Sequence, residues 1–190
     1  MKSLVDEKIN KVKKDMYLKA VAQFIDLNGS RDLKISQLAK HLEVSVGTIY
    51  NLFGSKENLY SEYLIYKLKR FLKELNNKET KDPIENLRTY LDAKYKIFLQ
   101  IDRNKKDPIT NDPFFFHKLD VINHPIVNDI YNFLQKQFQE LLPNSKYDYY
   151  HITMLFKKFS DGFIESYLVK KYNNENIVDE TLELFLKMFK

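Results

Sequence analysis

The sequence predicts an all-α fold, on three observations. Glycine and proline are scarce, four and five among 190 residues, so long stretches run without a helix breaker. Apolar side chains recur at steps of three and four along most of the chain. Residues that start helices stand where those stretches begin, as at Ser45, Ser55, Asp82-Pro83 and Pro125. With 44% hydrophobic and 14% aromatic residues the chain can bury a sizeable core, and its 30% charged content does not mark it as disordered.

Ile9, Val12, Met16, Ala20, Phe24 and Leu27 fall on one face of a long first helix, which Asn28-Gly29 stops. Ser36 is placed to cap a short second helix carrying Leu38, Ala39 and Leu42. After a turn at Val44-Ser45, Ser45 caps a third short helix with Ile49 and Phe53 inward. Gly54 ends that helix and Ser55 caps a fourth, which runs on Leu59, Tyr60, Leu64, Leu68, Phe71, Leu72 and Leu75. Residues 76–81 are polar and read as a joint. Asp82-Pro83-Ile84-Glu85 combines a cap, a first-turn proline and a glutamate three after the cap. It opens a fifth helix that buries Ile84, Leu87, Leu91, Tyr95 and Phe98. Residues 103–112 form a polar loop, and Asp112-Pro113 starts a short sixth helix with Phe114, Phe115 and Phe116. Pro125 starts a seventh with Ile126, Ile130, Phe133, Leu134, Phe138 and Leu141, closed by Pro143. Residues 147–172 and 176–189 form the last two.

Several function classes drop out. The chain has no cysteine, hence no disulfide framework and no thiolate metal site. Its first twenty residues have no apolar run ahead of a small-residue cleavage site, and no stretch nears the ~18 apolar residues of a membrane helix. A cytoplasmic location with no membrane partner is expected. Four widely separated glycines make no phosphate-binding loop, and no nucleophile-base-orienter arrangement appears. We expect neither an enzyme nor a cofactor. Charge is uneven: residues 1–75 carry 14 Lys and Arg against 9 Asp and Glu, while residues 76–190 carry 17 against 17. The whole excess of +5 sits in the first part, as a polyanion-facing module joined to a neutral one would have it.

Residues 36–53 give two short helices joined by a tight turn, the helix-turn-helix pattern, whose second helix lies in the major groove with its early residues at base edges. That helix begins Ser45-Val46-Gly47-Thr48 and continues with Tyr50 and Asn51. Gly47 carries no side chain where the helix would come nearest the DNA backbone. Ser45, Thr48 and Tyr50 offer hydroxyls to phosphate, and Asn51 can pair with an adenine edge. Lys56 lies in the first turn of the next helix, whose free amides suit a phosphate. Ser36 and Gln37 at the entry to the second helix complete the candidate DNA-binding set.

The stretch Ser45-Val46-Gly47-Thr48-Ile49-Tyr50-Asn51-Leu52-Phe53-Gly54-Ser55-Lys56-Glu57-Asn58-Leu59 resembles the signature of TetR-family repressors, and Ile35-Ser36-Gln37-Leu38-Ala39 resembles that family's entry to its second helix. The close resemblance covers about residues 10–65. Val46 stands where the family often has lysine, which removes a phosphate contact, and Leu52 where it often has histidine or tyrosine. Glu43 sits near the turn, where a small residue is common. The resemblance implies a nine-helix architecture: a helix-turn-helix domain over 1–55, a connecting helix over 56–76, and a helical effector-binding and dimerisation domain over 77–190. It implies a homodimeric repressor on a palindromic double-stranded DNA operator, released by a small-molecule effector.

Tyr95, Phe98, Phe114, Phe115, Phe116, Phe159, Phe163 and Tyr167 can line an aromatic-walled cavity for an apolar or aromatic effector, or can be plain core. The last two helices carry more apolar surface than one stripe requires. Ile152, Phe156, Ile164, Leu182, Phe185 and Phe189 are the residues expected at a dimer interface, with Gly162 allowing close helix approach. His117, Asp120 and His124 would share a helical face at metal-ligand spacing if the helix reached His124, but Pro125 interrupts it there, so no metal is expected. His41 and His151 read as isolated surface or edge residues. Two rival readings stand beside the regulator: a ligand- or partner-binding helical protein that keeps the helix-turn-helix as scaffold, and a metal-responsive sensor.

Overall fold

A computed structural model describes residues 4–28, 34–103, 124–170 and 176–189. Among them all regular structure is helical: α1 (Leu4–Asn28), α2 (Ile35–His41), α3 (Val46–Phe53), α4 (Lys56–Lys78), α5 (Pro83–Arg103), α6 (Pro125–Leu141), α7 (Tyr149–Lys170) and α8 (Ile177–Lys187). The short helix expected after Asp112-Pro113, with Phe114, Phe115 and Phe116, lies outside the described residues. Two compact units emerge, the first reaching Lys67 and the second beginning at Leu68. The division falls inside α4.

In the first unit, Leu18, Val21, Ala22, Phe24 and Ile25 of α1 pack with Leu38, Ala39, Ile49, Phe53, Leu59 and Tyr63. This corrects the expected face of α1: Ile9, Val12, Met16 and Leu27 are all more than half exposed. The sequence holds two apolar stripes on opposite sides of this helix, because Met16 and Leu18 stand about 200° apart at 100° per residue. The stripe with the small residues Val21 and Ala22 is the one that packs, and its first buried residue is Leu18. Polar ties fix α4 to α1. Tyr63 and Lys67 both donate to Asp26 at 2.9 Å, and Lys14 Nζ lies 2.5 Å from Glu62 Oε1.

Ser36 is not the cap of α2. Lys34 occupies that position, with extended backbone and no side-chain bond, and Ser36 falls in the exposed first turn. The end of α2 is built as a left-handed terminus. Val44 N–H donates to Ala39 O at 2.9 Å across Glu43, whose φ is +54°. A side chain at that conformation costs about 1–2 kcal/mol, which glycine avoids at the expense of a looser unfolded chain. Glu43→Gly is therefore expected to stabilise the first unit by roughly 0.5–1 kcal/mol, read as a higher midpoint in thermal denaturation followed by circular dichroism.

The second unit is organised around α5, which contacts α6, α7 and α8. Asp82 caps α5 by accepting from Ile84 N–H at 2.9 Å. Leu87, Leu91 and Tyr95 are buried as expected, but Ile84 is exposed. Asn86 is buried instead. It donates to Gln137 Oε1 of α6 at 2.8 Å and accepts from Thr80 N–H at 2.8 Å, so one amide fixes the polar segment before α5 and joins two helices. Arg88 bridges Glu85 and Asp179 of α8. An aromatic cluster of Tyr90, Phe138, Phe156, Phe159, Phe185 and Phe189 fills the space between α5, α6, α7 and α8.

Candidate nucleic-acid interface

Helix α3 presents its polar start to solvent because its apolar residues are spaced to bury the other side. Ile49 and Phe53, four apart, are 1% and 3% exposed. Ser45 caps the helix: its Oγ accepts from Thr48 N–H at 3.0 Å and lies 2.9 Å from Thr48 Oγ1. The two hydroxyls thus hold each other at the helix start. Gly54 closes α3 at φ +77°, donating its N–H to Tyr50 O at 2.7 Å. Ser55 then caps α4 through Asn58 N–H at 3.1 Å. The carboxyl of Glu57 is held below the usual range by hydrogen bonds from its own backbone N–H and from Ser55, aided by the charge of Lys56.

Ser45, Val46, Gly47, Tyr50 and Asn51 are exposed, Thr48 and Lys56 half-buried, and Ser36 and Gln37 exposed on α2. All nine candidates of the sequence reading therefore stand at a solvent-reachable face of α2, α3 or the start of α4. Tyr50, at 44% exposure, is not a packed aromatic between helices. A Cβ added at Gly47 would meet only Ser45 Oγ, at 3.6 Å, an ordinary contact. The fold does not require glycine there, so its bareness is left as a feature of the surface. Leu52 is partly buried against the core of this unit, which explains an apolar residue at that position. Val46 puts methyl groups on the exposed start of α3, a surface that suits a thymine methyl.

In the second unit the residues expected at a pocket are placed differently. Tyr95 is sealed in the core, its hydroxyl 3.0 Å from Thr181 Oγ1 and 3.2 Å from Ser160 O; burial pushes its phenol up. Phe159 and Phe163 are half-buried and stacked on each other at 5.7 Å. Phe114, Phe115, Phe116 and the side chains of Phe98 and Tyr167 lie outside the described residues. The residues expected at a dimer interface are also corrected in position. Ile152, Phe156, Ile164, Leu182 and Phe185 are at most 3% exposed and serve the core of the unit itself, and Phe189 packs partly against it. Among the described residues, α7 exposes Tyr150 and Leu155, and the C-terminal end around α8 exposes Leu184 and Met188. Gly162 is exposed as well, and a Cβ there would meet nothing within 4 Å.

His117 and Asp120 lie outside the described residues. His124 is the cap of α6, with extended backbone and its Nδ1 accepting from Ile126 N–H at 3.1 Å, so it does not continue a helical face. Among the described residues no group of three histidine and acidic side chains could hold a metal ion. His41 is not isolated, since its ring lies 5.0 Å from Phe24. No described helix is long and apolar enough to cross a membrane.

Residues 18–63 match the family model described as bacterial regulatory proteins, tetR family. The chain is 28% identical over 165 residues to the HTH-type transcriptional regulator SAR0097 of Staphylococcus aureus (strain MRSA252), covering 81% of each chain. Its fold is similar to the transcriptional regulator FadR from Bacillus subtilis, solved in complex with stearoyl-CoA, at TM-score 0.64 and 18% identity, over 89% of this chain and 95% of that one. It is likewise similar to the fatty acid degradation regulator FadR from Bacillus halodurans, at TM-score 0.65 and 20% identity, over 92% and 94% of the two chains.

Proposed function

We propose that the chain is a helix-turn-helix transcriptional regulator of the tetR type, which its residues 18–63 match, and that it acts as an effector-responsive repressor, two copies of which grip a palindromic operator. One observation carries the DNA-binding residues: α3 buries Ile49 and Phe53 while Ser45, Val46, Gly47, Tyr50 and Asn51 share its exposed start and outer side. Ser45, Thr48, Tyr50 and Lys56 take phosphates, Asn51 and Val46 read base edges, and Ser36 and Gln37 approach the backbone from α2.

The test is fluorescence anisotropy with the duplex upstream of the protein's own gene and a scrambled duplex, at several salt concentrations. Asn51→Ala is expected to cost about 1–3 kcal/mol on the specific duplex and little on the scrambled one. Equal, weak binding of both duplexes by the unaltered protein across genomic fragments would leave the helix-turn-helix as scaffold only.

For the dimer, Leu155, Leu184, Met188 and the open face at Gly162 supply what their buried neighbours do not: exposed apolar surface with room for a close helix. Leu155→Arg is expected to shift the mass seen by light scattering toward the 22.8 kDa of one chain. An unchanged mass would move the interface elsewhere. An effector bound in the second unit must favour one dimer shape over the other, or it shifts nothing. The stearoyl-CoA bound by the Bacillus subtilis neighbour supports an amphipathic effector here.

A further inference from the structure

Helix α1 begins well before the core it serves. In its first half Val5, Ile9, Val12 and Met16 are 58–70% exposed, and they stand four, three and four apart. At 100° per residue they fall within about 60° of one another, on the side of the helix opposite Leu18 and Ile25. That is the a and d spacing of two heptads, the seam along which helices pair side by side. The other side of the same segment is polar: Asn10 and Lys11 are exposed, and Lys14 reaches Glu62 of α4. The unit's own core therefore leaves the seam to solvent. A single exposed apolar side chain needs no explanation, but four in register along about 16 Å of one helix mark a contact surface.

The charges beside the seam say what covers it. With Ile9 and Met16 at a, and Val5 and Val12 at d, the g positions hold Lys8 and Asp15 and the e positions hold Asp6 and Lys13. All four are exposed. In a parallel pair g faces the next e of the partner helix, which sets Lys8 against Lys13. In an antiparallel pair g faces g and e faces e, which sets Lys8 against Asp15 and Asp6 against Lys13, each twice. Both edges of the seam thus complement a reversed copy of themselves. Asp6 also interacts within its own chain, so Lys8 and Asp15 supply the test. We propose that this stripe docks on the same stripe of a second copy, antiparallel, in layers that set Val5 on Met16 and Ile9 on Val12. The contact is two-fold and self-complementary. It costs little to order, because the packed half of α1 already holds the helix. Four layers are fewer than a standard stable interface supplies, so the association is weak and concentration-dependent. It uses none of Leu155, Leu184 and Met188, the residues assigned above to the dimer.

The chain has no cysteine, so single cysteines in the full chain report the contact directly. Val5→Cys and Met16→Cys are oxidised separately and as an equimolar mixture, and the initial rate of cross-linking is read on non-reducing gels. The mixture is expected to cross-link about tenfold faster than either variant alone, because antiparallel layers set position 5 against 16 and hold like positions about 16 Å apart. Ile9→Glu, at an exposed site that folding does not need, should bring the mixture down to the rate of the single variants. Lys8→Glu should slow the mixture roughly five- to twentyfold, since two pairs turn from attraction to repulsion, and adding Asp15→Lys should restore it. Cross-linking of each variant by itself would mean a parallel contact, and cross-linking in no sample would mean that the stripe does not meet a second copy. Either result overturns the proposal, as would a faster reaction with Lys8→Glu or no rescue by Asp15→Lys.

Discussion

Phe185→Ala lowers the stability of the second unit by about 3–5 kcal/mol, with a matching fall in the urea midpoint. The ring is 0% exposed. It meets Phe156 at 4.9 Å and 64°, Phe138 at 5.8 Å, Phe159 at 5.6 Å and Phe189 at 5.3 Å. Its neighbours come from α6, from α7 and from the residues just after α8, so no single side chain can swing in to refill the void, and the cost falls at the upper end for an aromatic truncation. Protein concentration separates this from an interface role. A core residue lowers the stability of each chain whatever the concentration. An interface residue lowers it by dissociation, which more protein reverses. Circular dichroism melts across a wide range of concentration should therefore show a constant loss. A loss that vanishes as protein is added would return Phe185 to the dimer interface where its sequence context first suggested it.

The distinction marks where the sequence stops being legible. Three helix starts were readable because a cap or a proline acts on its immediate neighbours: Ser45, Ser55 and Asp82-Pro83 each hold the turn that follows them, whereas α2 starts at Lys34 with no side-chain cap for Ser36 to supply. The outward residues of α3 were readable for the same reason, since Ile49 and Phe53, four apart, decide which side turns in. Failures arose where periodicity admits two answers. In α1 two apolar stripes oppose each other, and only the shape of α2 and α4 selects Val21 and Ala22 over Ile9 and Met16. Helices α7 and α8 carry more apolar residues than one stripe needs, so spacing cannot separate Phe156, which packs inward, from Leu155, which does not. The buried ion cluster of Lys94, Lys157 and Asp161 left no sequence signal at all. Lysine and aspartate at steps of four read as a solvated surface pair, and only tertiary contact shows them buried with Lys94 of a distant helix.

Asp161→Leu is the second severe change, expected to cost about 3–5 kcal/mol, because Lys94 and Lys157 then lose the carboxylate between them while staying at 0% and 3% exposure. The triple change Lys94→Met, Lys157→Met and Asp161→Leu removes these three charges together and fills the space with side chains of similar volume. It should return stability to within about 1–2 kcal/mol of the starting protein, or above it. The sum of the single effects would forecast collapse, so the gap between sum and triple measures how far the three ions act as one unit. Urea denaturation of the four variants supplies that number. A triple variant as unstable as Asp161→Leu would mean that the buried ions are a necessary part of the helix packing. A triple variant that folds as well as the starting protein would mean that the packing of α5 on α7 does not need them.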